Sequence, residues 1–294
     1  MGGISDCRAK AAAGEEVITS TSNSLVKHLV KLRDNRSYRE QTKRVLLVGR
    51  IPILETLNPP NPSKSPPPPL HTLVVSKGYV DQVREFNPQR RVVADARVLE
   101  KIAGVNSGDS LMLAAEVGIP PMPDLKSRKV QRLLVLDGVQ DPGNLGTLIR
   151  TALGLGWDAA YLLRGTCDPW NSKAIRAARG GCFRLPIVMG GSIDDLRELI
   201  DIHKLTVVAA DPHAAETVDS AQISGPVALW LGSEGKGLTG GEYGDAGAET
   251  IVQGTNEVGR ALETVKIDME SEMESLNVAV AGAILMHIFR RRLE

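Results

Sequence analysis

Cysteine is scarce here, and neither sign of charge is in excess. Three cysteines in 294 residues, Cys7, Cys167 and Cys182, are too few and too scattered for a disulfide framework or a Cys-x-x-Cys metal site, and a reducing compartment fits them best. The five histidines, at 28, 71, 203, 213 and 287, include no pair at the i, i+4 spacing that sets two zinc ligands on one helix face. No metal is expected. Lysine plus arginine (35) balances aspartate plus glutamate (35), so affinity for a polyanion must come from a local patch rather than from the whole chain. No run approaches the roughly 18 apolar residues of a membrane span. The first residues lack the apolar core of a secretory signal, and Asp6, Glu15 and Glu16 interrupt any likeness to a transit peptide. Residues 1–16 are expected to be disordered, and the compartment is open among cytosol, plastid and mitochondrion.

What is present is enough apolar material, 42% of the chain, for one large or two medium domains. Residues 17–50 open on Ser/Thr/Asn capping candidates and continue with Leu25, Val26, Leu29, Val30 and Leu32 at helical spacing. From Lys27 to Arg50, eight lysines and arginines face only Asp34 and Glu40. The plain reading of that patch is a solvated helix face; the sharper one is contact with a phosphate backbone. Residues 57–71, NPPNPSKSPPPP at their centre, cannot form helix or central strand and read as an exposed loop insertion, with a proline-motif ligand as the lesser alternative. Strands are expected at 72–76, 91–95 and 111–117, with a helix between the last two. A proline-dense linker follows at 118–129. Strands and helices then alternate, with strands at 132–138, 159–163, 185–189, 206–210 and 227–232, and helices from about 144, from about 171 and over 193–203. Such alternation implies an α/β fold whose parallel sheet carries helices on both faces, with a ligand at the carboxyl ends of its strands. The last helix, 275–293, is apolar nearly all round and belongs in a core or a subunit interface.

Three segments carry the chemistry: DPGNLGTLIRTA (141–152), LWLGSEGKGLTGG (229–241) and IDMESEMESLNVAVAGAIL (267–285). Inside the second, GKGLTG satisfies the G-x-G-x-x-G dinucleotide pattern, with Glu257 placed as a ribose-binding acid. No helix start follows it, so a nicotinamide-dependent enzyme is a distant alternative. Taken in order, the three segments resemble the three motifs of the SpoU/TrmH branch of the SPOUT methyltransferases, and AIRAARGGCFRLPI (174–187) resembles the stretch that branch carries between its first two. Residues 17–50 resemble the start of the small L30e-like RNA-binding domain found in many members.

The resemblance implies transfer of a methyl group from S-adenosylmethionine to a ribose 2′-hydroxyl of structured RNA, ribosomal RNA first and transfer RNA as the alternative. It implies an L30e-like domain over 17–117 and a methyltransferase domain over 130–294, the latter a parallel-sheet SPOUT domain threaded into a deep trefoil knot that forms the cofactor pocket. A homodimer through this second domain is implied as well. Arg150 would engage RNA phosphate and the target hydroxyl, since its fixed fork of donors holds phosphate oxygens while keeping its charge. Asn144 would orient the neighbouring backbone and substrate. Glu234, Ser275 and Asn277 match polar positions of the motifs; Leu231, Gly232, Gly235, Ile267, Met269 and Leu276 match positions that cradle the cofactor. Lys27, Lys31, Arg33, Arg36 and Arg39 would join Arg150 in contacting RNA. This chain departs from the pattern at Asp268 and Ser271, where the family usually has proline and glycine, and in a long segment over 239–266. Five acids lie between Glu263 and Glu274 against Lys266, which keeps open a relative that binds RNA without efficient transfer.

Overall fold

The computed structural model describes residues 16–104, 113–232, 262–270 and 272–292. The chain divides into two units, Met1–Pro120 and Pro121–Glu294.

In the first unit the order is β1 (Glu16–Ile18), α1 (Ser24–Asp34), α2 (Arg36–Thr42), β2 (Arg44–Val48), α3 (Arg50–Leu57), β3 (Leu70–Ser76), β4 (Arg90–Ala94), α4 (Ala96–Ala103) and β5 (Leu113–Gly118). Helix α1 starts where the Asn23 side chain accepts the Leu25 amide at 2.8 Å, and it buries Leu25, Val26, Leu29 and Leu32. The basic stretch is not one helix. Asn35 closes α1 and caps α2, and Lys43, at φ 55°, turns the chain into β2. The sheet runs β1-β4-β3-β5-β2, with β1, β4 and β3 parallel and β5 antiparallel to both its neighbours. Residues 58–69 form no regular element, as their prolines demand, and the Gly118 amide ties the Pro69 carbonyl to the sheet at 2.9 Å.

Strand β5 carries a buried carboxylate, Glu116, only 2% exposed. Its oxygens accept from Thr72 Oγ1 at 2.6 Å, Arg44 Nη1 at 2.7 Å and the His28 ring at 3.0 Å, and the other His28 nitrogen meets the Tyr38 hydroxyl at 2.9 Å. Burial alone would raise this carboxyl, but the hydrogen bonds from Thr72, Arg44 and His28 outweigh it and hold the group below its ordinary 4.5.

The second unit comprises β6 (Arg132–Leu136), α5 (Pro142–Gly154), β7 (Ala159–Leu163), α6 (Ser172–Ala178), β8 (Ile187–Gly191), α7 (Ile193–His203), β9 (Thr206–Ala210), β10 (Glu216–Thr217), β11 (Val227–Leu231), β12 (Leu262–Lys266) and α8 (Val278–Arg292). Strand order is β10-β12-β9-β11-β6-β7-β8, and all six pairs are parallel. Helix α7 packs Leu196, Leu199 and Ile200 on the sheet face that carries Leu133, Val135, Tyr161 and Trp230. Leu231, alternate to Trp230, meets α8 at Gly282 on the other face. The chain moves from β6 outward through β7 and β8, and later returns on the opposite side of β6 with β11. The β6–β11 junction is therefore the topological switch point, where an open parallel sheet receives its ligand. Most expected elements appear within two residues. The last helix starts at Val278 rather than 275, because the Asn277 side chain caps it by accepting the Ala279 amide at 2.9 Å. Glu16, expected to be disordered, is instead the first residue of β1, held opposite Val92 of β4 by the parallel pairing. Residues 1–15, the segment 233–261 through which a knot would be traced, and Ser271 lie outside the described residues.

Because the Glu116 value is lowered on folding, its contribution is complete above about pH 4.5 and is lost as pH falls through the lower folded value. Glu116→Ala is expected to cost about 2–3 kcal/mol. Calorimetry of the full chain should show one transition moved down by this variant and its dependence on acid flattened.

Candidate active site

The site grows from the turn that follows β6. Thr166 Oγ1 donates to the Leu136 carbonyl at 2.9 Å and accepts the Gly138 amide at 3.2 Å, which fixes the exit of the strand. Asp141 then caps α5, accepting the Asn144 amide at 2.9 Å, with Pro142 pre-set for the first turn. The Lys173 ammonium lies 2.5 Å from Asp141 Oδ2. That contact first, and the Asn144 amide second, hold the Asp141 carboxyl below the usual carboxylate range.

Helix α5 is flanked closely on two sides. A methyl group on Gly146 would lie 2.3 Å from the Ala174 carbonyl oxygen and 2.7 Å from Ala177 Cβ of α6. On Gly282 of α8 it would lie 2.5 Å from Leu148 Cδ2 and 2.7 Å from Leu231 Cδ1. Glycine is required at Gly146, because the α6 backbone approaches within the space of a Cβ, whereas at Gly282 the close atoms are the ends of two leucine side chains, which would have to shift. Farther along α8, Trp157 Nε1 donates to the Met286 carbonyl at 3.3 Å. With the helices so placed, Asn277 Nδ2 donates to Asn144 Oδ1 at 3.2 Å. The first and third motif segments, 133 positions apart at this contact, thus meet beside the switch point.

Arg150 is exposed and takes part in no ion pair among the described residues. Leu231 is buried, while Gly232, Ile267, Met269 and Leu276 are half-buried at the carboxyl ends of β11 and β12 and the approach to α8. Ser275 is exposed, as are Asp268, Glu270, Glu272 and Glu274. Glu234 and Gly235 lie outside the described residues.

The basic residues of the first unit divide sharply. Arg39, 4% exposed, donates to the carbonyls of Leu32 at 2.7 Å and Arg33 at 2.9 Å, closing the end of α1. Arg33 donates to the carbonyls of Lys101 and Ile102 at the end of α4 and pairs with Asp34. Both were expected on an RNA-facing surface; Arg39 is removed from it by burial, and Arg33 is committed to internal carbonyls. Arg36 is exposed and paired with Glu40 at 2.8 Å, Lys31 lies 4.2 Å from the centroid of the Tyr38 ring, and Lys27 is exposed. Lys101 shares a cleft with Lys27, Lys31, Thr21 and Ser22. No local pattern announces Lys101, because only the packing of α4 on α1 brings it there.

A family model described as the SpoU rRNA Methylase family matches residues 131–287. The chain is 30% identical over 277 residues to 23S rRNA (guanosine(2553)-2'-O)-methyltransferase RlmP of Bacillus subtilis, covering 93% of this chain and 98% of that protein. Among solved structures, an RNA 2'-O ribose methyltransferase is 28% identical at a TM-score of 0.72, covering 94% and 98% of the two chains. An AdoMet-bound rRNA methyltransferase from Sinorhizobium meliloti is 26% identical at a TM-score of 0.73, covering 95% and 98%.

The glycine contacts lead to a paired test. Gly146→Ala should destabilise by about 1–3 kcal/mol, since the clash is with backbone. Gly154→Ala, where a methyl group meets nothing within 4 Å, should stabilise by about 0.5–1 kcal/mol. Thermal unfolding midpoints moving in opposite directions would bear this out; equal shifts would refute the close α5–α6 approach.

Proposed function

The chain belongs to the SpoU rRNA methylase family, and on that premise we propose that it transfers a methyl group from S-adenosylmethionine to a ribose 2′-hydroxyl of structured ribosomal RNA, with Arg150 and Asn144 at the reacting hydroxyl. The observation that carries the reading is the Asn144–Asn277 hydrogen bond, which joins two of the three motif segments where a parallel sheet receives its ligand.

The residues present fit the methyl donor. Gly232 at the end of β11, with Ile267 and Met269 after β12, offers half-buried surface and strand-end backbone groups to an adenosyl moiety, beside the backbone of buried Leu231; Leu276 extends that surface. The nearby carboxylates of Asp268, Glu270, Glu272 and Glu274 favour a cationic group. When bound, the donor supplies a methyl group already activated as a sulfonium. What falls to the chain is to bind RNA, align the attacking oxygen and ease the loss of its proton. Arg150 holds a phosphate oxygen and stabilises the developing alkoxide with a charge that stays on the guanidinium. Asn144, fixed on one side by the α5 cap and on the other by Asn277, orients the substrate; Ser275 and Glu234 complete the polar set. Lys27 and Lys31, with Lys101, give the first unit its RNA-facing surface, in keeping with an L30e-like role. The protein works as a homodimer through its second unit, a reading supported by the exposed Met273 and Val280 at the start of the α8 region (62% and 49% exposed).

The test is transfer of labelled methyl to unmodified ribosomal RNA. Wild-type protein should label a ribose, and Arg150→Ala should lower the rate about 10²–10³-fold while S-adenosylhomocysteine binding persists. Absence of transfer by wild-type protein that binds both S-adenosylhomocysteine and RNA would replace the enzyme with a non-catalytic RNA-binding relative.

A further inference from the structure

The surface around Arg150 is electrically lopsided, and helix α6 is the reason. Along the α5–α6 contact, Gly143 lies against Lys173, Gly146 against Ala174 and Ala177, and the Arg150 backbone against Gly181. The two helices therefore run side by side in the same direction, with Arg150 level with the end of α6. Helix α6 turns Ala174, Ile175 and Ala178 inward, and it exposes Lys173 and, one turn on, Arg176. On α5 the buried positions are Leu145, Leu148, Ile149 and Ala152, which leaves Thr147 and Arg150 on the solvent side. Arg150 and Arg176 thus share one solvent face built from two helices.

Their neighbours differ in charge. Lys173 is neutralised by Asp141, whereas Arg176 is exposed and takes part in no ion pair among the described residues. The opposite flank of α5, where Asn144 meets Asn277, leads to the exposed carboxylates of Asp268, Glu270, Glu272 and Glu274. These would repel phosphates within the screening length of about 8 Å. Among the described residues, the approach to Arg150 that favours a polyanion is the one over α6.

We propose that Arg176 is a second phosphate-binding arginine, and that the RNA backbone adjoining the target ribose crosses α6 at Arg176 before reaching Arg150. The proposal rests on the RNA methylation reading and adds to it a direction of approach and a residue outside the motifs. Arg176 does not touch the reacting atoms. It positions RNA, so its loss acts on binding rather than on the chemical step.

The experiment compares wild type, Arg176→Ala, Arg176→Lys and Glu272→Gln, using an unmodified ribosomal RNA transcript for both binding across a salt series and methyl transfer. Arg176→Ala should weaken RNA binding roughly three- to tenfold, lower the slope of log affinity against log salt by about one, and raise KM for RNA with kcat nearly unchanged. Arg176→Lys should restore the slope, and Glu272→Gln should leave affinity equal or higher. Unchanged thermal unfolding and S-adenosylhomocysteine binding would set folding aside as the cause. Wild-type slope and KM in Arg176→Ala would overturn the proposal while leaving the enzyme reading intact, as would weaker RNA binding in Glu272→Gln. Failure of wild-type protein to bind or methylate RNA would remove the reading beneath it.

Discussion

Helix α5 is held between two other helices, with α6 so near that its backbone leaves no space for a methyl group at Gly146, and this close approach is what the site depends on. Gly146 lets α6 come up to one side, and Gly282 lets α8 come up to the other. With both in place, Asn144 stands at hydrogen-bond distance from Asn277, and the Arg150 backbone lies against Gly181 just after α6. The chemistry asks for alignment more than for a reactive side chain, so the packing of three helices is itself much of the machinery. Buried Leu148 and Leu231 pack the apolar side of the same junction, where a methyl group on Gly282 would lie 2.5 Å from Leu148 Cδ2 and 2.7 Å from Leu231 Cδ1 and both side chains would have to give way.

Arginine is used here as structure as often as for recognition. Three of them close helix ends: Arg39 at α1, Arg33 at α4, and Arg184, which donates to the Arg179 carbonyl at 2.7 Å and the Gly180 carbonyl at 3.2 Å after α6. The carbonyls of a last helical turn lack internal partners and carry partial negative charge, so a guanidinium fork satisfies both needs. A count of basic residues along a sequence cannot separate these from cations that face solvent. That is why the patch from Lys27 to Arg50 dissolves into a few available charges once its geometry is known.

Where local signals agreed, the sequence was easy to read. Helix α7 begins at a serine cap and ends at Lys204 in the left-handed region, and strands β7 and β9 are short apolar runs between helices; all three lie where the pattern puts them. Strand β2 and helix α2 escaped, because a five-residue strand inside a basic stretch is defined by its pairing with β5, far along the chain. Glu116 was equally hidden, its burial resting on donors from three other elements. In the site, Asn144, Arg150 and Asn277 were legible through the ordered motifs alone. Arg176 falls within the stretch 174–187 that resembles the family, but nothing local sets it apart there from Arg179 or Arg184.

The pairing of β6 with β11 also governs when the site can exist. These strands lie side by side at the centre of the sheet although about half of the second unit separates them in the chain, and α8, which completes the neighbourhood of Asn144, follows both. Closing so long a loop carries an entropic cost that local contacts do not offset, so such pairings form late. During synthesis, therefore, the segment bearing Arg150 emerges well before the elements that make it useful. A nascent or truncated chain can display the arginine without the pocket, and competence arrives as one event when the final helix docks.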